Sequence, residues 1–387
     1  MTSTEALRAD VIVIGAGIVG AACAYRLAER GLDVLVLERE HAPATGSTGR
    51  SAAGVRHQFT DAVNIRLSAA SIAEYRAMPR AEYRATGYLF YVPDALWEAQ
   101  MRGVELQREL GAPVEVLDIE AAGRIVPVDP SGLRGATYCA ADGVVDPHGI
   151  CMTYVERARA LGARFVFGAE VSALRRLDDR WQVATADARA RAPLVVNAAG
   201  AWAGRVGTLA GLEIPVGPAR RMVFSSGPLP ETLRRTLPYP MTVDLATGFW
   251  FRSERERLIF GLSNPDDNGF AEGIDWPWLE TTFETALLHF PWFERLDLDR
   301  RASWWGYYEV TPDHNPVLGR MPGAEGWINA CGFSGHGVQQ AAAVGLLVAQ
   351  EATGEPTAID IRTLRIERFA RGANGDGAST STERLIV

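Results

Sequence analysis

Apolar positions follow two different rhythms along this chain. Residues 11–14 read Val-Ile-Val-Ile, an unbroken apolar run, as a strand buried on both faces requires. From 18 to 30 the apolar positions recur at helical spacing. Gly31 follows as a helix end, and 33–38 is a second unbroken run closed by Glu38. Strand, helix and strand in that order predict a βαβ unit with parallel strands and a right-handed crossover. The same rhythms predict helices at 65–76, 97–110, 150–161 and 278–289, with a short one opening at 117–120. They predict strands at 87–92, 164–167 and 181–184, and a buried strand from 193 that ends in small residues, Ala198-Ala199-Gly200.

Between 215 and 301 the pattern changes. Strand-like runs at 221–225, 242–244, 249–252 and 258–261 are separated by turns, the spacing of antiparallel hairpins. Further on, a strand ending at Cys331 leads through a glycine loop into a helix from about 339 to 352. The expected fold class is therefore α/β plus α+β, a Rossmann-like nucleotide-binding domain with an interleaved antiparallel-sheet substrate domain. The first is expected to take 1–80, 145–212 and 302–370, the second 81–144 and 213–301. Residues 371–387 read as a flexible tail.

The turn inside the βαβ unit carries the first chemistry. Gly15, Gly17 and Gly20 follow the strand at once, with Ile18 and Val19 opening the helix. Gly15 permits the tight turn, Gly17 lets a pyrophosphate approach the backbone, and Gly20 lets helix and strand pack closely. The helix start offers free N–H groups and a partial positive charge to phosphate. Glu38 can accept ribose hydroxyls and would repel a 2′-phosphate, which argues against NADP. The pattern predicts dinucleotide binding.

Composition narrows the partners. With 39 basic against 47 acidic residues the net charge is −8, which disfavours nucleic acid or an anionic membrane as main partner. No stretch reaches the roughly 18 apolar residues of a membrane span, and residues 1–9 lack a basic and hydrophobic leader, so a cytoplasmic protein is expected. Cys23, Cys139, Cys151 and Cys331 show no metal-ligand spacing, and no metal is expected. There is no lysine, which excludes lysine Schiff-base chemistry and leaves cationic roles to Arg and His.

Three further stretches suit a flat, phosphorylated ligand. Thr45-Gly46-Ser47-Thr48-Gly49-Arg50-Ser51-Ala52 supplies hydroxyls and small residues, and Arg56-His57-Gln58-Phe59 follows. The segment 304–319 contains Tyr307, Tyr308 and Thr311-Pro312-Asp313. The loop Gly332-Phe333-Ser334-Gly335-His336-Gly337 precedes Val338 and Gln339.

Together these motifs resemble the FAD-dependent amino acid oxidoreductases of the D-amino acid oxidase, glycine oxidase and sarcosine oxidase type. The run from Arg50 to Phe59 is most similar to the sarcosine, dimethylglycine and proline dehydrogenase branch. The resemblance implies non-covalent FAD, with Arg50 and Gly306 where relatives carry linking residues. It implies cofactor contacts from the glycine turn, Glu38, Arg39, the 45–52 loop, Val171, Ala199, Gly200, Trp202 and the residues from Gly332 to Gln339. It places Arg56 as the arginine that holds the substrate carboxylate, although a structural salt bridge is the alternative from the residues alone. It places Ile259 where relatives have an oxygen-activating lysine and Gln339 where they have a second carboxylate-binding lysine. Those departures favour a dehydrogenase that passes electrons to another acceptor or subunit.

His57 and His336 are candidate bases, with His336 also able to shape the loop by hydrogen bonds. Tyr88, Trp250 and Tyr307 can cage substrate or simply pack. The expected reaction is oxidation of the CH–NH bond of an amino acid or N-alkyl amino acid. Oxidation of a 2-hydroxy acid and a non-catalytic flavoprotein subunit are the alternatives.

Overall fold

The computed structural model describes residues 6–234 and 238–370; the tail expected at 371–387 lies outside them. The apolar runs form the centre of a six-stranded sheet. Its order is Val317–Arg320, Trp327–Cys331, Leu194–Asn197, Val11–Ile14, Val34–Leu37 and Arg164–Val166. All neighbours are parallel except the first pair.

The unbroken runs have a simple cause. Val11 and Val13 face one core and Ile12 and Ile14 another, and the strands beside them alternate likewise. The first core holds helices Ile18–Ala28, Ala62–Arg76, Pro147–Ala160 and Gly337–Thr353. The second lies under a four-stranded sheet that contributes Leu174, Trp181 and Val183. A strand with apolar partners on both sides has no polar face to alternate with.

Glycine sets two close approaches here. A Cβ on Gly20 would lie 2.1 Å from the Gly15 carbonyl oxygen, so helix Ile18–Ala28 springs directly from its turn. A Cβ on Gly345 would lie 2.7 Å from the carbonyl carbon of Ala22, so helix Gly337–Thr353 crosses helix Ile18–Ala28 backbone to backbone.

The second sheet has eight strands. Its order is Trp304–Val310, Gly217–Ser225, Arg257–Gly261, Trp250–Glu254, Met241–Asp244, Tyr88–Pro93, Leu133–Cys139 and Glu115–Leu117. It is antiparallel apart from one pair, Met241–Asp244 beside Tyr88–Pro93. That exception to the expected antiparallel sheet has a topological reason. The chain passes through the first sheet between these strands, so no hairpin joins them. Strand Trp304–Val310, grouped by sequence with the nucleotide-binding half, pairs along Gly217–Ser225 in this sheet.

One face of the eight-stranded sheet packs Phe224, Phe249, Phe251 and Phe260 against Phe290, Trp292 and Phe293. The other face presents Tyr88, Phe90, Met241 and Val243, with Ala52 packed against them. The loop carrying Ala52 is stitched between the two halves. Ser47 Oγ donates to the Tyr307 carbonyl at 2.7 Å, Trp304 Nε1 to the Arg50 carbonyl at 2.8 Å, and Arg252 Nε to the Ala52 carbonyl at 2.8 Å. Among the described residues no helix is long and apolar enough to cross a membrane.

Candidate active site

A cavity of about 760 Å³ runs from Glu38 to the inner face of the eight-stranded sheet. Its first wall is the glycine turn. Gly15 sits at φ +104°, and a Cβ there would meet the Ala198 carbonyl oxygen at 2.5 Å. Gly17 caps the helix with extended backbone and no side-chain cap of its own, so the first-turn N–H groups beyond Ile18 are left for a ligand. Thr48 Oγ1 accepts from the Ile18 N–H at 3.0 Å and ties the 45–52 loop to the turn. The Glu38 carboxylate closes this end. It accepts from the Ala16 N–H at 2.6 Å and the Glu40 N–H at 2.9 Å.

Of the residues expected to bind cofactor, Gly15, Gly17, Ile18, Val19, Glu38 and Arg39 line this end. Thr45, Gly46, Ser47, Thr48, Arg50, Ser51 and Ala52 form the loop wall, and Val171, Ala199, Gly200 and Trp202 face them. Arg39 stacks 3.7 Å over Trp202. Gly335, Gly337 and Val338 bring the start of helix Gly337–Thr353 to the same cavity. That helix begins two residues before the expected 339, because a first-turn glycine does not interrupt it.

Other predicted residues stand behind the wall. Gly20 is consumed in packing on the turn. Gly332, Phe333 and Ser334 bend the chain: Gly332 has φ +79°, Phe333 is buried, and Ser334 N–H donates to the Glu309 carbonyl at 3.0 Å. Gln339 is buried and its Oε1 accepts from the Arg56 N–H at 3.0 Å.

Arg56 is 1% exposed. Its Nη1 donates to the Gln58 carbonyl, its Nη2 lies 3.2 Å from His336 Nε2, and it stacks 4.1 Å from the Phe59 ring. A guanidinium only donates, so His336 Nε2 accepts and the ring is assigned its proton on Nδ1. Burial, then Arg56 and His314, push His336 well below the usual imidazole range, which keeps it neutral. His336 therefore braces Arg56 and has no free Nε2 to serve as a base.

His57 is likewise committed. Its Nδ1 lies 2.5 Å from Asp142, whose same oxygen accepts the His57 N–H at 2.9 Å. Asp142 is fully buried, and nothing local in the sequence links it to a residue 85 positions away. The Cys139 sulfur joins these groups within 4.8 Å. Burial pushes that thiol up to about 12, which disfavours a thiolate ligand.

The tyrosine pair resolves by strand alternation. Tyr307 turns to Trp202 and Phe270, and its hydroxyl donates to the Ala271 carbonyl at 2.9 Å. Tyr308, one residue on, takes the opposite face and packs where a Gly335 Cβ would be 2.5 Å from its ring. Burial raises its phenol, with Arg221 and Arg56 both pulling the other way. Both tyrosines line the cavity, Tyr307 in the field of Arg220, Arg50 and Arg39 and Tyr308 in that of Arg221 and Arg56. Tyr88 is buried near Arg56, and burial pushes its phenol up to about 12. Trp250 lines the cavity as expected.

Among the charged wall residues that escaped the sequence reading are Arg221 and Glu309. Burial lowers Arg221 from the ordinary guanidinium value and pushes Glu309 up to about 7. Glu309 accepts from the Gly332 N–H at 2.8 Å, and the Phe333 N–H also faces it. An acid inside an aromatic strand was the available signal for it.

Residues 10–351 match the family described as FAD dependent oxidoreductase (DAO). The chain belongs to that family. It is 28% identical to FAD-dependent oxidoreductase domain-containing protein 1 of Bos taurus, over 89% of this chain and 81% of that one. It is 27% identical to mitochondrial dimethylglycine dehydrogenase of Mus musculus over 94% of this chain, but spans only 44% of that protein. Among solved structures it is similar to L-proline dehydrogenase from P. horikoshii, with TM-score 0.85, 29% identity and 95% and 99% of the two chains covered. Glycine oxidase from Geobacillus kaustophilus gives TM-score 0.80, 25% identity, and 94% and 99% coverage.

The family is FAD-dependent, and the residues present fit that group. The uncapped helix start and the glycine turn suit a pyrophosphate, Glu38 suits ribose hydroxyls, and one continuous cavity joins them to an aromatic chamber.

Proposed function

We propose that this FAD-dependent oxidoreductase oxidises the CH–NH bond of an amino acid or N-alkyl amino acid, and acts as a dehydrogenase. The observation that carries the reading is the chamber opposite the Glu38 end. It brings Trp250 and Tyr308 together with the half-buried Arg221, and Tyr308 also feels Arg56, which stands behind the wall. An amino acid needs that pairing, a cation for its carboxylate and an apolar wall for its carbon chain. The names of the similar proteins, proline dehydrogenase, dimethylglycine dehydrogenase and glycine oxidase, support the same class.

Arg56 is the proposed carboxylate contact. His336 and the Gln58 carbonyl fix the plane of its guanidinium, and Gln339 fixes its backbone. Such bracing positions the substrate α-carbon with little entropy left to lose. A charged hydrogen bond of this kind is worth roughly 1.5–3 kcal/mol. Bound FAD would supply the hydride acceptor. A neutral amine needs no base to lose hydride, which agrees with histidines engaged elsewhere. The imine product then hydrolyses or cyclises.

Two features support transfer to an acceptor other than oxygen. The chain contains no lysine, and Ile259 is an apolar residue 1% exposed on the inner sheet. The buried His57–Asp142 pair favours one rival, 2-hydroxy acid oxidation, where a base is necessary. His57 Nδ1 is taken up by the buried Asp142, and amine oxidation needs no base, so amine oxidation is preferred.

The test is anaerobic flavin bleaching across amino, N-methylamino, imino and hydroxy acids, followed by oxygen. Bleaching by one amine class and slow reoxidation is the expected result. Rapid reoxidation would overturn the dehydrogenase reading, and bleaching by hydroxy acids alone would overturn the amine reading.

A further inference from the structure

Three arginines with buried or half-buried side chains stand on the two strands that face the cavity, and they are not equivalent. Arg220 is saturated: its Nε lies 2.8 Å from Asp267, and its Nη1 donates to the carbonyls of Glu272 and Gly273 at 3.0 Å. Arg252 is paired with Glu254 at 2.7 Å and donates to the carbonyls of Ala52 and Ser253. Arg221 has neither arrangement. Its Nη1 donates to the carbonyls of Arg220 at 3.0 Å and Asn264 at 3.4 Å. Among the described residues no carboxylate forms an ion pair with it, and its Nε is sealed from solvent without a hydrogen-bond partner.

A desolvated cation without a counter-ion is costly, and so is a buried donor left unpaired. Burial already disfavours the charged form of this guanidinium. Its position removes the two simplest explanations. Arg221 sits on the cavity wall, so it is not packing filler. The phosphate-binding features are the glycine turn and uncapped helix at the Glu38 end, whereas Arg221 lies across from Gly306 and 5.7 Å from the Tyr308 ring. Tyr308 completes the group. Its phenol feels both Arg221 and Arg56, and among the described residues its hydroxyl makes no hydrogen bond. Arg221 in the cavity wall and Arg56 behind it therefore share a single tyrosine.

We propose that Arg221 and Tyr308 form a second anion-binding subsite, so that the preferred substrate is an amino acid or N-substituted amino acid carrying a second carboxylate. This rests on the amino acid reading above, with Arg56 taking the first carboxylate. A carboxylate against this guanidinium supplies charge-assisted hydrogen bonds and the counter-ion that Arg221 lacks. A phenol beside it adds a neutral donor. A monocarboxylic amino acid leaves Arg221 unanswered, and the site loses the corresponding differential binding.

The experiment uses the FAD-loaded enzyme in two readouts. The first is anaerobic flavin reduction by matched pairs, aspartate against alanine and iminodiacetate against sarcosine, for wild type, Arg221→Met and Arg221→Lys. We expect wild type to favour the diacid by on the order of 10- to 100-fold in kcat/KM. In Arg221→Met that ratio falls toward one, chiefly through KM, and Arg221→Lys recovers part of it. The second readout is the flavin absorbance shift on titrating non-oxidisable acids, glutarate against butyrate, which needs no turnover. If no amine bleaches the flavin but glutarate binds more tightly and Arg221→Met abolishes that preference, the subsite stands and the amine reading falls. Equal response to mono- and diacids in both readouts overturns the subsite, as does an Arg221→Met loss that is the same for both members of each pair.

Discussion

Glu309 allows the electrostatics of the cavity wall to be tested without knowing the substrate. Its carboxyl is moved from 4.5 to about 7 by burial, against the opposing N–H groups of Gly332 and Phe333. Between those two values the folded chain keeps a proton that the unfolded chain has released. Stability therefore falls as pH rises across that window and levels off above it. At 1.36 kcal/mol per pH unit the full change is about 3 kcal/mol, and water in the cavity reduces it to about 2–3 kcal/mol. Glu309→Gln keeps an oxygen for the Gly332 N–H and does not titrate. Urea unfolding of both proteins, followed by tryptophan fluorescence at pH 5, 6, 7 and 8 and equal flavin loading, isolates the term. The variant should gain on wild type from pH 5 to about pH 7 and the gap should level off toward pH 8. A gap that stays constant with pH would show that the acid is not held protonated. A gap of opposite slope would mean that it is paired with a cation, and the burial argument would be refuted.

Two other substitutions probe the frame around the site. Gly20→Ala puts a Cβ 2.1 Å from a backbone oxygen that cannot swing aside; it should cost about 1–3 kcal/mol and lower the flavin retained per chain after gel filtration, and full retention would refute the packing role of Gly20. Asp142→Ala strips partners from the His57 N–H and Nδ1; it should cost about 2–4 kcal/mol in thermal or urea unfolding while leaving the amine bleaching rate within a few-fold, and a collapse of that rate at unchanged flavin content would revive the histidine-base reading.

What the chain disclosed in advance follows local rules. The first βαβ unit and its glycines were legible because each feature acts on residues within one turn or strand. The loop before helix Gly337–Thr353 was legible for the same reason. Tyr307 lines the cavity as expected, and Tyr308 beside it was missed because period-two alternation leaves which face of the strand meets Arg221 and Arg56 undetermined until its partner is known. Arg221 and Glu309 were missed because their meaning lies in what surrounds them: one lacks an anion and the other lacks a cation, and neither absence has a sequence signature. The parallel pairing of Met241–Asp244 with Tyr88–Pro93 joins strands about 150 positions apart, beyond the reach of hairpin spacing.

The crossing of Gly345 over Ala22 has a consequence for synthesis. The glycine turn leaves the ribosome about 320 residues before the helix that locks it from behind. At 5–20 residues per second that delay is roughly 15–65 s. For that time Ala21, Ala22 and Ala24 wait as an open apolar groove. Nascent chains of this protein should therefore engage chaperones at this groove, and gain the capacity to hold FAD only after release.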